Sequence, residues 1–529
     1  DGFMGGGQVA LMRVGKALDA VRAAHKPVLT FATAYEDQGY QLAAHASEVW
    51  INPIGGVAIM GPGGANLYYK GLIDKLGVNV NIYRVGTYKS AVEPFIRADQ
   101  SPEAKQASQA LADNLWQNWR DDVARARPRA KLAAYVADPL GSVQATGGDM
   151  AKAAQNAALV DRVGDEDSFD DRVAAIAGED NSPETQGFAS INFDKYVKAH
   201  TPANDGQIGV LTVAGEIVDG EGGPGTAAGD SIAMLLNKAL TERDLKALVI
   251  RVDSPGGSVL ASEQIRRAIA QAKEQGLPVV TSMGNVAASG GYWITTLSDK
   301  VIAEPSTITG SIGVFGILPS FEGTLAKLGV TTDGVRTTPL SGEPNVVGGI
   351  SPQFNAIAQL SVEDMYRRFI GLVAHARKLT PQRVDSIAQG RVWDGGTARQ
   401  IGLVDSFGGL EDAIAEAARL AKLDPAKARP YYIESEPDKL AAFLQSFMSS
   451  DAHVGLGARN ALPTDLLGRQ AWRQRQWAIQ ALEDARSLTQ GAAMRASCLE
   501  CRAYRAPGVV DAGQREGVLW RMLGWLGRS

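Results

Sequence analysis

Continuous apolar runs alternate along this chain with stretches whose apolar residues recur every three or four positions. Residues 208–213 (IGVLTV), 247–252 (ALVIRV) and 278–283 (PVVTSM) are short runs of apolar and β-branched residues, which predict strands buried on both faces. Between the last two, 258–275 carries apolar residues at helical spacing and ends at Gly276, which predicts a helix with a glycine stop. A strand–helix–strand alternation with continuously apolar strands predicts an α/β fold, a mainly parallel sheet covered by helices.

The pattern occurs twice. Lys75-Leu76-Gly77-Val78 recurs 252 residues later as Lys327-Leu328-Gly329-Val330, and Asn52-Pro53 and Arg84 fall opposite Glu304-Pro305 and Arg336 at the same offset. Pro27-Val28-Leu29-Thr30 resembles Pro278-Val279-Val280-Thr281, and Ala158-Leu159-Val160-Asp161 resembles Gly402-Leu403-Val404-Asp405. A repeat this long means two similar domains rather than a solenoid. The expected division is a first repeat over 1–185, a linker over 186–204, a second repeat over 205–435 and a helical tail over 436–529. At this offset Asp1 lies opposite Asp253, so the first repeat lacks counterparts of the strands at 208–213 and 247–252. A domain without them would expose sheet edges, and further residues are expected before Asp1. In the tail, 466–488 reads as an Arg/Gln-rich amphipathic helix with Trp472 and Trp477, a packing or oligomer contact, and 518–526 as a terminal helix packed on the body or lying at an interface.

The chain has 529 residues, 45% of them hydrophobic, enough for two cores and a tail. With 53 Lys+Arg against 58 Asp+Glu, the net charge of -5 gives no basic stripe for a nucleic-acid partner. No apolar stretch reaches the roughly 18 residues of a membrane span, and no secretory signal peptide is visible. Cys498 and Cys501 are the two cysteines. With no histidine nearby they fall short of a structural zinc site, so a local disulfide or a pair of peripheral thiols is expected, and neither metal nor cofactor.

Chemistry gathers at two glycine-rich turns. Stretch 284–293 (GNVAASGGYW) follows the strand predicted at 278–283 and is expected to begin a helix, which puts Ser289 at a strand-to-helix turn, in the crevice at the sheet's carboxyl ends. The Gly290 N–H would point to where an oxyanion forms, and Gly256, in Asp253-Ser254-Pro255-Gly256-Gly257-Ser258, would supply a second N–H. The competing reading is that both turns merely let helices pack closely on strands. A serine needs a base. The five histidines, His25, His45, His200, His375 and His453, lie away from these turns, and most read as surface or helix-face residues. A lysine in an apolar setting can serve instead, because burial disfavours its charged form. Lys89, in an uncharged window from Val85 to Tyr88, is the candidate. Gly220-Glu221-Gly222-Gly223-Pro224-Gly225 formally matches a nucleotide-binding fingerprint, but it contains proline and is followed by more loop residues rather than an immediate helix, so it reads as a flexible loop.

Arg84-Val85-Gly86-Thr87-Tyr88-Lys89-Ser90-Ala91-Val92-Glu93-Pro94-Phe95, Asp253-Ser254-Pro255-Gly256-Gly257-Ser258, Ala288-Ser289-Gly290-Gly291-Tyr292-Trp293 and Thr309-Gly310-Ser311-Ile312-Gly313 resemble the signal peptide peptidase A (protease IV) family in its long two-domain bacterial form. Gly390-Arg391-Val392-Trp393 and Gly402-Leu403-Val404-Asp405 add to the resemblance. It implies tandem Clp-protease/crotonase-like domains and a Ser/Lys dyad of Ser289 and Lys89, with Ser311 hydrogen-bonding the lysine. It also implies peptide substrates such as signal-peptide remnants, and a tetramer at the bacterial inner membrane facing the periplasm, anchored through a segment before Asp1. The repeat agrees with the dyad. Lys89 falls opposite Ser341, and Ser289 opposite Asp37 or Gln38, so each copy lacks a different half and the pair must close between a first and a second repeat. The rival readings are a crotonase-like acyl-CoA enzyme, which needs no such pair, and a non-catalytic membrane-associated scaffold.

Overall fold

The computed structural model describes residues 3–434 and 464–501, apart from Met4, Asn181, Pro183, Glu184, Thr185, Pro224, Gly491 and Ala493. Its largest sheet has eight strands and contains the three runs read from the sequence, now Ile208–Ala214, Ala247–Ser254 and Val279–Ala288. They pair in parallel with one another. Lys300–Ala303, Ile308–Gly310, Ser406–Phe407 and Pro430–Ile433 join in parallel, and Val392–Asp394 closes one edge antiparallel. Alternation across the strands splits the side chains into two cores. Leu248, Ile250 and Val252 pack with Ile265 and Ile269 of the Val259–Glu274 helix and with Phe369 and Val373 of the Pro352–Arg377 helix. Ala247 and Val249 face the other way, onto Ala413, Ile414 and Ala417 of the Leu410–Leu420 helix. The helix read at 258–275 is present, with Ser258 capping it through the Ala261 N–H.

The first repeat forms its own parallel sheet from Leu29–Glu36, Glu48–Ala58 and Arg162–Val163. These strands take the places that Val279–Ala288, Lys300–Ala303 and Ser406–Phe407 hold in the second, so the α/β repeat read from the sequence is the one observed. The linker region holds the short Phe193–His200 helix.

A third sheet crosses the boundary between the repeats. Asn79–Val85 of the first repeat lies antiparallel to Val314–Ser320 of the second, and Met494–Ser497, Gly256–Ser258, Glu216–Val218 and Thr226–Ala228 continue the order. The 79–85 segment thus packs on the second repeat although it belongs to the first in sequence. The expected tail helix is present as Leu466–Gln490, and Tyr69 Oη donates to its Asp484 at 2.7 Å. The tail is not helical throughout, however, since Met494–Ser497 is a strand. The cysteines are not peripheral thiols. Cys498 and Cys501 form a disulfide that is buried with Leu111, Leu115, Val286, Ala288, Ile308 and Val392. Stretch 518–526 lies outside the described residues.

Candidate active site

Strand Val279–Ala288 runs further than the sequence suggested, and no helix starts near Gly284. The Asp253 carboxylate explains this: it accepts from Asn285 Nδ2 at 2.8 Å and from the Val286 N–H at 3.0 Å. That contact stabilises an irregularity in the pairing, after which Ala287 and Ala288 pair with Thr309 and Gly310. Ser289 therefore stands directly between the strand and the Gly290–Trp293 helical turn, as expected, with φ +57° and ψ -114°. A serine with positive φ is strained, and such strain persists where surrounding bonds over-determine it. Here the Ser289 N–H donates to Gly310 O at 2.8 Å, and the Ser289 carbonyl accepts from the Tyr292 and Trp293 N–H groups, both at 2.9 Å. Trp293 Nε1 donates to Glu263 at 3.0 Å and ties the turn to the preceding Val259–Glu274 helix.

Lys89 follows strand Asn79–Val85 and reaches Ser289 within the same chain. Its Nζ lies 2.9 Å from Ser289 Oγ, 3.0 Å from Ser311 Oγ and 3.0 Å from the Ser311 carbonyl oxygen. Both Lys89 and Ser289 are buried. Burial pulls the lysine pKa from 10.5 down to about 7, with the Glu500 carboxyl acting in the opposite direction. Glycines make room for this lysine. Gly390 has φ +77°, and a Cβ there would come within 2.8 Å of the Lys89 N, Cα and Cβ atoms. A Cβ on Gly313 would stand 3.2 Å from Lys89 Cδ. The Gly390 motif was legible only as part of a resemblance; its contact with Lys89 is tertiary. Glu500, half-buried and accepting from Ser90 Oγ, had no signal in the sequence at all.

The two glycines proposed as oxyanion donors are neighbours. A Cβ on Gly256, where φ is +90°, would lie 2.6 Å from Gly290 N, and a Cβ on Gly290 would lie 3.2 Å from Gly256 Cα. Gly256 N–H donates to Ser254 Oγ at 3.2 Å. Ser311 also has positive φ, +51°, and its N–H donates to Arg391 O at 2.7 Å, so both hydroxyls that meet Lys89 sit on pinned, unusual backbone.

The equivalent places in the opposite repeats are occupied differently. Asp37 follows strand Leu29–Glu36 where Ser289 follows its own, and its Oδ1 accepts from the N–H groups of Met60 and Gly61 at 3.0 and 2.8 Å. Ser341 bonds locally to Thr337 and Thr338. Among the histidines, most of which were expected on the surface or on a helix face, His45 is an exception to exposure. It is buried in the first repeat with Nδ1 2.9 Å from Asp19 and Nε2 3.4 Å from Asp122.

Comparison with known proteins agrees with this architecture. The model of peptidase family S49 matches residues 20–178 and 271–424, one segment in each repeat. "Protease 4" of Salmonella typhi is 43% identical over 455 residues, 85% of this chain and 72% of that protein. "Protease 4" of Haemophilus influenzae is 39% identical over 425 residues, 79% of this chain and 68% of that protein. A solved ClpP1 mutant from Listeria monocytogenes aligns at 16% identity over 39% of this chain and 93% of its own, with a TM-score of 0.26, too low to bear on the matter. The repeated α/β build and these relatives define the class, a serine protease. The chain belongs to peptidase family S49, as the motif resemblance to the two-domain protease IV form implied.

Proposed function

We propose that the chain hydrolyses small, extended, apolar peptides, cleaved signal peptides among them, with Ser289 as nucleophile and Lys89 as general base. The observation that carries this reading is the 2.9 Å contact between a buried lysine nitrogen and a strained serine hydroxyl. A neutral amine has two N–H bonds and one lone pair. The two donors go to Ser311 O and Ser311 Oγ, which leaves the lone pair to accept the Ser289 proton. Ser289 Oγ then attacks the scissile carbonyl carbon, and the Gly256 and Gly290 N–H groups hold the resulting oxyanion, the former exchanging its bond to Ser254. The Lys89 ammonium returns its proton to the departing amine. The neutral Lys89 amine then takes a proton from a water that attacks the acyl carbon, and gives it to Ser289 Oγ as the acyl–oxygen bond breaks. No cofactor or metal enters these steps.

The reading extends to a homo-oligomer, a tetramer by resemblance, at the bacterial inner membrane and facing the periplasm. The disulfide supports an oxidising compartment. Among the described residues, no helix is long and apolar enough to cross a membrane. An acyl-CoA enzyme would have no use for a lysine against Ser289, so the contact favours the peptidase.

Ser289→Ala and Lys89→Ala should each lower kcat/KM for an apolar peptide by about 10³-fold or more, with the circular dichroism spectrum unchanged. Activity should rise with pH through about 7 as the buried amine loses its proton. Full activity in either variant removes the assignment.

A further inference from the structure

The groove beside Ser289 is already filled by the chain's own tail. Met494–Ser497 lies between Gly256–Ser258 and Val314–Ser320 and is antiparallel to both. Gly256, Gly257 and Ser258 stand opposite Ser497, Ala496 and Arg495, and the Cys498 N–H adds a bond to Pro255 O at 3.1 Å. An extended peptide captured by strand addition would make these main-chain bonds. The Ala496 carbonyl oxygen sits against both oxyanion glycines, 2.1 Å from where a Cβ on Gly256 would be and 3.2 Å from the corresponding point on Gly290. Past the strand, the Cys498–Cys501 disulfide packs on Ala288, the residue before Ser289, and Glu500 accepts from Ser90, the residue after Lys89. A cavity beside this strand, lined by Ala91, Phe95, Phe315, Leu488 and Leu499 among others, is about 20 Å³, room for about one water. Met494–Ser497 takes the facing edges of both Gly256–Ser258 and Val314–Ser320, so a peptide cannot pair with them while the tail is in place.

We propose that 494–501 is an internal pseudosubstrate. It occupies the peptide track of the active site, is clamped by its disulfide, and must leave before a peptide enters in the same antiparallel register. This rests on the peptidase reading above and adds two things to it. It assigns the track, with Gly256–Ser258 on one side and Val314–Ser320 on the other. It also assigns the chemistry of the occupant, an extended segment with small and apolar side chains, like Ala496 and Leu499, facing inward. Because the tail is tethered, it competes at an effective concentration on the order of millimolar, and only peptides that bind well, or events that loosen the tail, open the site.

The test uses the full-length chain carrying Ser289→Ala, so that bound peptide is not cut, and a fluorescent apolar peptide of about ten residues. Adding Ala496→Pro removes the N–H that faces Gly257 and should tighten peptide binding by about tenfold or more. Cys498→Ser with Cys501→Ser should act in the same direction. In the Ser289→Ala chain without further change, saturating peptide should speed hydrogen exchange at the amides of 494–498. Equal affinity with and without Ala496→Pro, or exchange that peptide leaves untouched, overturns the pseudosubstrate. If Ala496→Pro does not fold, the exchange measurement still decides. Turnover separates the two readings: tighter binding together with no cleavage by any Ser289-containing form overturns the peptidase and leaves the tail as competitor for the groove.

Discussion

Lys89 is the residue on which function and stability pull in opposite directions. Its folded pKa, about 7, lies below the ordinary lysine value of 10.5, so between these values the unfolded chain binds a proton that the folded chain does not. Folding is therefore least favoured below pH 7, gains stability as pH rises from there, and levels off above 10.5. The cost near neutral pH is about 4 kcal/mol. Lys89→Met keeps the apolar stem and removes the ionisable end. It should raise the melting temperature at pH 7 while abolishing peptidase activity, and flatten the rise of stability with alkaline pH. A melting temperature below that of the unsubstituted protein would mean that the contacts with Ser289 and Ser311 outweigh the desolvation.

At the scale of elements, the site depends on how closely two backbones approach. The turn carrying Lys89 packs on the turn at Gln389-Gly390, where Tyr88 N–H donates to Gln389 O at 2.8 Å. Gly390→Ala introduces a Cβ that meets Lys89 backbone atoms at 2.8 Å, at a φ of +77° that alanine disfavours. The expected cost is about 1–3 kcal/mol, read as a lower denaturant midpoint. A displaced Lys89 should also lower kcat more than it raises KM. Unchanged kcat would show that the strand rather than the glycine positions the lysine. Strand Asn79–Val85 is the other support: it comes from one repeat, completes a sheet of the other, and thereby brings Lys89 to Ser289.

Across the whole molecule, the two repeats contribute different residues. The second holds Ser289, and the first supplies Lys89 and a core that buries His45. Burial alone would lower the His45 pKa, but hydrogen bonds to Asp122 and Asp19 outweigh it and raise it above 6.5. A raised folded pKa contributes stability that is complete below 6.5 and disappears as pH rises through the folded value. Thermal unfolding should thus show a first-repeat contribution that weakens with rising pH. His45→Gln should remove that dependence while leaving the pH profile of peptide cleavage in place. A cleavage profile that moved with His45→Gln would couple the first core to the active site.

The strands at 208–214, 247–254 and 279–288, the helix capped by Ser258 and the two-fold repeat were all legible because local pattern dictates them: a strand buried on both faces must be apolar throughout, and a helix must repeat every three to four residues. Ser289 and Lys89 were legible as candidates, the first from its small-residue turn, the second from an uncharged window joined to the family resemblance and to a repeat in which each copy lacks one half. What the chain's order could not express was contact between segments far apart in it. The continuation of strand 279–288 depends on Asp253, the cradle for Lys89 on Gly390, the buried state of His45 on Asp19 and Asp122, and the filled groove on a strand more than two hundred residues from Gly256. Periodicity is a property of neighbours along the chain. Burial, pairing across sheets and the field around an amine are set by whatever folds against them, and those were decided only by the tertiary structure.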